Sequence, residues 1–458
     1  MSDLSTDTLL FGLIVVVVVM VAAAVAMGRW WRRRTFVVGF LVAVALDELG
    51  PVVTAAAVGA VVVVAFGWWL FGRGSFRRVV VRRVRASQRR CRYRQVWTKL
   101  MLGHGLGHER RDKTTVPRLR RRIRTGVWLD SLWVRPLVGQ AVEDWERETE
   151  ALAMALGVRE CRVVIERPGL LRLDVIRGDP LAAIVAALPV GWRVDLAALP
   201  IGITETGGPW TVRLAGNHVL VAGVTGAGKS SVVWSMIRAL APLLAAGVVQ
   251  LWGVDPKGGM ELGAGRRLFT RFAGGDLDGM VELLEAAVDA MRDRADRYAG
   301  VRRTHQATRA EPLLVVVVDE MAFLTAYAGD NKLRDRANKA LAVLLTQGRA
   351  VGVSVVAALQ DPRKEVLGYR NLFPTKIALR LDERTQVDMI LGEGARNAGA
   401  RADRIADSTP GVGYVKVDGI REPQRVRAAH VTDSDIAELA GRFPAPVASV
   451  PEAGEAAA

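Results

Sequence analysis

The sequence has few of the residues that stabilise small secreted domains or build metal sites. Its 458 residues include only two cysteines and five histidines. The cysteines, Cys91 and Cys161, cannot form a disulfide framework and belong to no CxxC metal motif. His104 and His108 are spaced to share a helix face, but the three glycines around them favour a loop over a metal-binding pair. The sequence therefore predicts neither a disulfide-stabilised nor a metal-organised fold.

Acidic residues are scarce in one stretch, residues 29–124. This stretch carries 23 Lys and Arg residues against four Asp and Glu residues, whereas the formal net charge of the whole chain is +16. The excess charge therefore lies here, and the rest of the chain is close to neutral. An excess of Lys and Arg is common in the cytoplasmic flanks of membrane spans, so the net charge alone is weak evidence for DNA binding.

Long uncharged runs lie before and within the basic stretch. Residues 9–27 carry no charge and would extend about 29 Å as a helix, close to the thickness of a bilayer core. A signal peptide is the alternative, but Asp3 and Asp7 stand where it would have basic residues. Residues 35–49 and 51–71 are predicted to form a membrane hairpin with both basic flanks in the cytoplasm. We expect three spans in a transmembrane region over residues 1–75, or two if the short middle run is re-entrant.

A basic juxtamembrane segment is predicted over residues 76–125. Residues 76–94 are rich in arginine, with interleaved valines and one tyrosine, which fits either an amphipathic helix on anionic lipid or a DNA-facing collar. The nearby membrane favours lipid. Residues 118–124 form a second basic cluster.

Residues 126–190 are predicted to form a small α+β adaptor. We expect a strand over 127–137, a helix over 142–156 that ends at Gly157, and strands over 162–166 and 170–175. The Arg167-Pro168-Gly169 sequence between the last two strands is a turn signal. The segment contains no catalytic constellation.

A glycine-rich loop is the strongest functional signal. It lies between an apolar run at 218–222, read as a buried strand, and helical periodicity at 231–240. The loop has the phosphate-binding pattern Gly223-x4-Gly228-Lys229-Ser230. Its backbone N–H groups and the helix N-terminus are expected to surround phosphates, with Lys229 at the β- and γ-phosphates and Ser230 on Mg²⁺. The predicted nucleotide-binding residues are Gly223, Val224, Thr225, Gly226, Ala227, Gly228, Lys229, Ser230 and Ser231.

A second motif completes this prediction. An apolar run at 313–318 ends in Asp319 and Glu320, as a central parallel strand does when it is buried on both faces. We expect Asp319 to complete the Mg²⁺ shell through water and Glu320 to polarise the attacking water. The two motifs together predict an ATPase with ATP and Mg²⁺ as cofactors.

Alternation of strands and helices over residues 191–432 predicts an α/β motor with a doubly wound, mainly parallel sheet. Further strands are expected at 248–254, 353–358 and 376–381, with an edge strand at 413–417 and helices at 281–298 and 337–345. Gln360 follows the 353–358 strand and is expected to report the γ-phosphate or to orient water. Residues 433–458 are predicted to form a short helix and a disordered tail.

Several motifs in this region resemble those of the FtsK/SpoIIIE family of hexameric DNA translocases. They cover roughly residues 194–417: the extended phosphate loop 221–230, Asp-Pro-Lys-Gly-Gly-Met-Glu-Leu at 255–262 with Met260 inserted, Asp-Glu-Met-Ala at 319–322, Gly-Arg-Ala-Val-Gly at 348–352, the strand before Gln360, Pro-Thr-Lys-Ile-Ala at 374–378 and Ile-Leu at 390–391. Many members have Asp-Ser-Arg where this chain has Gln-Val-Asp at 386–388, so an arginine that acts in the neighbouring subunit cannot be assigned there. Arg349, Arg380 and Arg404 are the substitutes.

The resemblance implies a RecA-like motor in a ring of six identical subunits, which moves double-stranded DNA through its pore. The domain organisation, with a membrane hairpin, a small adaptor and one motor, looks most like that of the transfer proteins of actinomycete conjugative plasmids and integrative elements. A septal chromosome pump is the next alternative. The chain would then be a multi-pass membrane protein with a cytoplasmic motor.

Two alternatives from other classes remain: the ATPase of a type VII-like protein secretion system and a coupling protein that feeds single strands to a secretion channel. A single phosphate loop, rather than tandem motors, favours DNA over protein. Only 26 residues follow Thr432, too few for a winged-helix domain of about 60 residues. We therefore expect DNA binding without strong sequence preference and loading by other transfer proteins.

Overall fold

The computed structural model describes residue 59 and residues 66–110, 113–360, 368–420 and 422–446. The predicted membrane spans at 9–27 and 35–49 lie outside these residues, as do most of the span at 51–71 and the tail beyond residue 446. Within the described residues, no helix has both the length and the apolar character needed to cross a membrane. The chain divides into two compact units, residues 1–178 and 179–458.

The first unit combines a long basic helix with a four-stranded antiparallel sheet. Helix α1 (Arg73–Phe76) runs through a π-helical turn (Arg77–Val81) into α2 (Arg82–Gly103). The remaining elements are β1 (His108–Arg110), β2 (Lys113–Thr115), β3 (Arg118–Thr125), β4 (Leu129–Arg135), α3 (Val142–Arg147), α4 (Thr149–Leu156), β5 (Glu160–Arg167) and β6 (Leu170–Ile176). Strands β1 and β2 pair with each other, and the larger sheet has the order β3-β4-β6-β5.

The spacing of three apolar residues explains how α2 packs. Tyr93, Trp97 and Met101 are four residues apart, so they share one helix face, and all three are buried in the core formed with the sheet. Asp130 on β4 is fully buried; it accepts a 2.8 Å hydrogen bond from the Tyr93 hydroxyl and lies 2.9 Å from Arg89 Nε. An apolar face and a buried ion pair thus hold the basic helix on the sheet.

The predictions for this unit are partly confirmed. The turn at 167–169 joins β5 to β6, and Gly157 ends α4 in the left-handed conformation at φ 65°. The predicted helix at 142–156 is instead two helices separated at Glu148, whose backbone has ψ near 0° (−1°). The basic cluster at 118–124 forms strand β3, with Ile123 as its buried residue.

The second unit is built on one ten-stranded sheet. Its strands are β7 (Leu199–Thr204), β8 (Pro209–Val212), β9 (Val219–Ala222), β10 (Val249–Asp255), β11 (Arg271–Gly274), β12 (Leu313–Val318), β13 (Val353–Leu359), β14 (Thr375–Ala378), β15 (Val412–Val417) and β16 (Gln424–Ala428). The order is β11-β10-β12-β13-β9-β14-β15-β16-β7-β8. The six strands from β11 to β14 in this order are parallel, and the other four add to them in antiparallel fashion.

Helices cover both faces of the sheet. They are α5 (Lys229–Ala245), α6 (Leu277–Tyr298), α7 (Asn331–Gln347), α8 (Arg384–Leu391) and α9 (Asp433–Arg442). Helices α6, α7 and α8 contribute to one core, whereas α5 and α9 contribute to the core on the other face. Every residue of β12 is buried. The predicted doubly wound α/β sheet is therefore confirmed.

Shorter helical turns connect these elements. Four are 3₁₀ turns (Gly263–Leu268, Gly348–Val351, Arg370–Leu372 and Ala402–Arg404) and one is a π-helical turn (Phe323–Tyr327).

One strand placement was wrong. Strand β15, expected at an edge, lies between β14 and β16. It is internal because β16, β7 and β8 extend the sheet beyond it, and these short strands were not predicted.

Candidate active site

The predicted functional residues meet at one edge of the parallel sheet. Strand β13 pairs with β9 on one side and with β12 on the other, and all three are parallel. Their carboxyl ends therefore point the same way, which places the glycine loop after β9, Gln360 after β13 and Asp319 after β12 along that edge. The strand order puts Gln360 between the loop and the acidic pair.

The glycine loop needs glycine at residue 228 for two reasons. Gly228 has φ 98°, a left-handed conformation that side chains rarely adopt, and an added Cβ would lie 2.5 Å from the backbone nitrogen of Gly411. The Gly411 N–H donates a 2.8 Å hydrogen bond to Ala227 O, which fixes this close approach. Helix α5 begins at the next residue, and no described side chain caps its N-terminus. Its first N–H groups are thus available to a phosphate.

Lys229 bends back onto the loop that precedes it. Its Nζ donates to Gly223 O at 2.7 Å and to Val224 O at 3.2 Å. Burial lowers the pKa of Lys229 to about 8, although the negative charge of Glu320 opposes the shift. A bound phosphate would supply stronger acceptors than these carbonyl oxygens.

Asp319 is buried and Glu320 half-buried, and neither carboxylate has all its hydrogen bonds in the described structure. Asp319 is 6% exposed, and burial raises the pKa of both carboxyl groups. Glu320 Oε1 accepts from the Gln360 backbone N–H at 3.4 Å, but in the described part of the chain its Oε2 has no hydrogen-bond partner. Asp319 Oδ2 also lacks a hydrogen bond there, although Lys257 Nζ lies 3.3 Å away. Buried carboxylate oxygens that lack a hydrogen-bond donor are ligands that fit Mg²⁺.

A loop that follows β10 contributes two further charged groups. Asp255 is fully buried and accepts three backbone hydrogen bonds, from the N–H groups of Lys257 (3.0 Å), Glu261 (3.0 Å) and Leu262 (2.9 Å). These bonds fold residues 255–262 into a fixed loop. Glu261 Oε2 then accepts a 2.6 Å hydrogen bond from Ser230 Oγ, and Lys257 Nζ lies 3.6 Å from Glu261 Oε1.

The sequence indicated this loop but not the roles of Lys257 and Glu261. The signals were an aspartate and two glycines at the carboxyl end of a parallel strand, where functional loops collect, and the resemblance of residues 255–262 to a family motif; neither assigned a role to Lys257 or Glu261. The predicted Mg²⁺ ligand Ser230 and the acidic residue Asp319 are thus linked through Glu261 and Lys257.

Gln360 contacts the loop as well as the acidic pair. Its Oε1 accepts a 3.2 Å hydrogen bond from Thr225 Oγ1. One further residue near the loop escaped the sequence analysis: His430 Nδ1 lies 3.5 Å from Ser231 Oγ.

The three candidate arginines lie in different places. Arg380 Nη2 donates to Thr225 O at 3.2 Å and its Nη1 lies 3.0 Å from Asp407, so it sits on the phosphate loop of its own chain. Arg349 Nε donates to Gly216 O at 3.1 Å, at the amino end of β9 and thus at the opposite edge of the sheet. Arg404 is exposed in the Ala402–Arg404 turn. Only Arg380 is brought into the site.

Comparisons with known proteins show which sequences and structures this chain is similar to. The FtsK/SpoIIIE family profile matches residues 174–302, which include the phosphate loop and the Asp255 loop. DNA translocase FtsK of Streptococcus agalactiae is 25% identical over 344 residues, covering 67% of this chain and 39% of that protein. DNA translocase FtsK 2 of Neisseria meningitidis is 28% identical over 350 residues, covering 65% and 32% respectively.

A solved structure, the pCW3 conjugation coupling protein TcpA in a monomer form with ATPγS, aligns with a TM-score of 0.48 at 20% identity. The alignment covers 77% of this chain and 99% of that one. The chain spans less than half the length of the curated relatives it matches.

Proposed function

We propose that this chain, which carries an FtsK/SpoIIIE-family ATPase domain, is a membrane-anchored motor that uses ATP hydrolysis to move double-stranded DNA. One observation carries the proposal: the phosphate loop, Asp319, Glu320 and Gln360 meet at one edge of the sheet. DNA as the substrate is supported by the curated relatives, which are DNA translocases.

In this proposal the phosphate loop and its lysine hold the nucleotide. Lys229 exchanges the carbonyl oxygens of Gly223 and Val224 for phosphate oxygens, and the N-terminus of α5 supplies backbone donors. Ser230 and Asp319 would hold Mg²⁺, and the ion would supply positive charge to offset that of the phosphates. Glu320 polarises the attacking water through the carboxylate oxygen that lacks a hydrogen bond in the described structure.

Gln360 links nucleotide binding to the water-polarising group. Its side chain contacts Thr225 in the phosphate loop and its backbone N–H contacts Glu320. A shift of the loop on binding or release of the γ-phosphate therefore reaches Glu320 through one residue.

Glu261 and Lys257 position the groups around Mg²⁺. Glu261 orients the Ser230 hydroxyl, and Lys257 lies between the carboxylates of Glu261 and Asp319 and reduces their repulsion. Outer residues of this kind typically change metal affinity or activity about 10- to 100-fold when they are replaced.

A ring of six subunits and a role in conjugative transfer complete the proposal, on the strength of the family resemblance. An arginine that acts in a neighbouring site must lie outside its own site, which suits Arg349 and Arg404 better than Arg380. Adding inactive Lys229→Ala subunits to wild type should lower ATPase activity more steeply than dilution does. A strictly proportional loss would contradict coupled subunits.

The central experiment measures ATP hydrolysis by the full chain in detergent with duplex DNA, single-stranded DNA or no nucleic acid. We expect duplex DNA to stimulate hydrolysis most. Equal or greater stimulation by single strands would favour a single-strand coupling protein. Hydrolysis that ignores both nucleic acids would contradict a DNA motor and favour a protein-secretion ATPase.

A further inference from the structure

The first unit places two strongly basic elements side by side. Helix α2 carries eight Lys and Arg residues and strand β3 carries five, and neither contains an acidic residue. Their docking is direct: Trp97 Nε1 donates to Pro117 O at 2.7 Å, and Arg94 Nη2 donates to Arg121 O at 3.0 Å. The basic juxtamembrane segment is thus part of a folded surface.

The apolar residues of α2 are used inside the unit. Tyr93, Trp97 and Met101 pack in its core and are at most 5% exposed. A helix that lies on a membrane needs an apolar face to insert among the lipids. Because α2 packs that face against its own sheet, the folded helix would present mainly arginine side chains to a lipid surface. This packing removes the apolar face that an amphipathic helix on lipid requires.

Beside α2, strand β3 forms one wall of an open groove of about 840 Å³. We call it the arginine groove; its basic lining is Arg118, Arg120, Arg121 and Arg122 from β3 and Arg167 at the end of β5. These five arginines are all exposed. Arginine side chains on two walls suit an elongated anion better than a flat lipid surface.

The floor of the groove holds one arginine in place. The guanidinium of Arg122 lies 4.6 Å from the centroid of the Trp133 ring, and Trp133 is 5% exposed. Stacking on the ring uses one face of the guanidinium and leaves its edge N–H groups available to oxygen acceptors. This arrangement pre-orders a donor for phosphate.

The acidic residue in the lining does not neutralise the groove. Glu166 Oε2 lies 3.0 Å from Arg172 Nη1 and its charge also acts on Arg122, but one carboxylate cannot offset the five arginines of the lining. Strand β3 is also the edge of its sheet as described, and its eight residues extend about 26 Å. A polyanion can therefore follow the strand.

We propose that the arginine groove binds the phosphate backbone of duplex DNA, as a contact separate from the ATPase unit. The choice of DNA rests on the proposed function, whereas the groove and its preference for an extended polyanion rest on the first unit alone. Contacts of this kind recognise phosphates and carry no base information.

The test is the salt dependence of duplex binding by the full chain in zwitterionic detergent, measured by fluorescence anisotropy. Each phosphate contact contributes about 0.9 to the slope of log K against log salt. The variant R118Q/R120Q/R121Q/R122Q should reduce that slope by up to about 3.6 and weaken binding most at low salt. The variant R118K/R120K/R121K/R122K keeps the charge and should restore most of the slope, which a folding defect would not allow.

The matched control removes four exposed arginines elsewhere, in R147Q/R292Q/R303Q/R309Q. If this control lowers the slope as much as the groove variant does, net charge explains the effect and the groove is not a site. Unchanged duplex binding together with lost binding to phosphatidylserine vesicles would make the surface a lipid contact and overturn the proposal. Failure of the wild-type chain to bind any duplex would instead count against the proposed function.

Discussion

The charged side chains of the candidate active site and those of the arginine groove differ in their exposure to solvent. At the edge of the large sheet, Asp255 is fully buried under three backbone N–H groups, and Asp319 is 6% exposed beside Lys257. In the arginine groove the basic side chains are exposed along the edge of a small sheet. Buried charge is costly unless its partners are fixed, whereas exposed charge costs little and is weakly directional.

This difference predicts how each region responds to change. The buried groups orient one another, so the loss of one of them should abolish the activity of the whole site. A row of exposed arginines should lose its effect in increments, one phosphate contact at a time.

The largest effects are expected from Lys229→Ala and Glu320→Gln. Lys229→Ala removes the cation that faces the phosphates and should abolish both nucleotide binding and turnover. Glu320→Gln removes only the group that polarises water, so it should keep nucleotide binding and slow turnover by about 100-fold or more. Phosphate release and binding of a fluorescent ATP analogue measure the two properties separately. Near-normal turnover by Glu320→Gln would show that another residue polarises the water.

An intermediate effect is expected from Glu261→Gln. The amide cannot carry the charge that holds Ser230 and faces Lys257, so half-maximal activity should need about 10-fold more Mg²⁺. The Mg²⁺ dependence of ATP-analogue binding gives a second readout that does not require turnover. Met260→Ala is the matched control, because Met260 belongs to the same loop and is 84% exposed. Equal Mg²⁺ requirements for the two variants would exclude a positioning role for Glu261.

The sequence predicted this edge of the sheet well because its signals are local. The apolar runs before Gly223 and Asp319 correspond to β9 and β12, and the helical periodicity at 231–240 lies within α5 (Lys229–Ala245). A buried parallel strand must be apolar on both faces, so its length and its polar end can be read directly from the chain.

Pairings between distant segments were harder to predict. Strands β7, β8 and β16 were not predicted, and they gain their partners only when the antiparallel part of the sheet is assembled. The same holds for the hydrogen bond between Ser230 and Glu261, which joins residues 31 positions apart. The basic run at 118–124 concealed strand β3, because its only fully buried side chain is Ile123.

A smaller effect is expected from pH, through Lys229. Burial lowers the pKa of Lys229 to about 8 in the nucleotide-free protein, and bound phosphate should raise that pKa again. Nucleotide binding must then take up a proton above pH 8, so the affinity should fall by nearly 10-fold for each further pH unit. Binding of a fluorescent ATP analogue without Mg²⁺ measures this directly. Lys229→Arg should bind more weakly but without the decline, since arginine stays charged; a parallel decline would assign the titration to another group.

The smallest effect should appear when the duplex sequence is changed. If the arginine groove contacts phosphates, two unrelated duplexes of equal length should bind the full chain within a few-fold, since phosphate contacts carry no sequence information. A pair of hydrogen bonds from one arginine to a guanine edge would instead discriminate by about 1–3 kcal/mol, which is roughly 5- to 160-fold. Competition between the two duplexes measures the ratio, and the R118Q/R120Q/R121Q/R122Q variant should lower the salt slope equally for both. A preference above 10-fold that this variant removes would show that the groove reads bases. The exposed groove would then be as selective as the buried site, and the contrast between the two regions would fail.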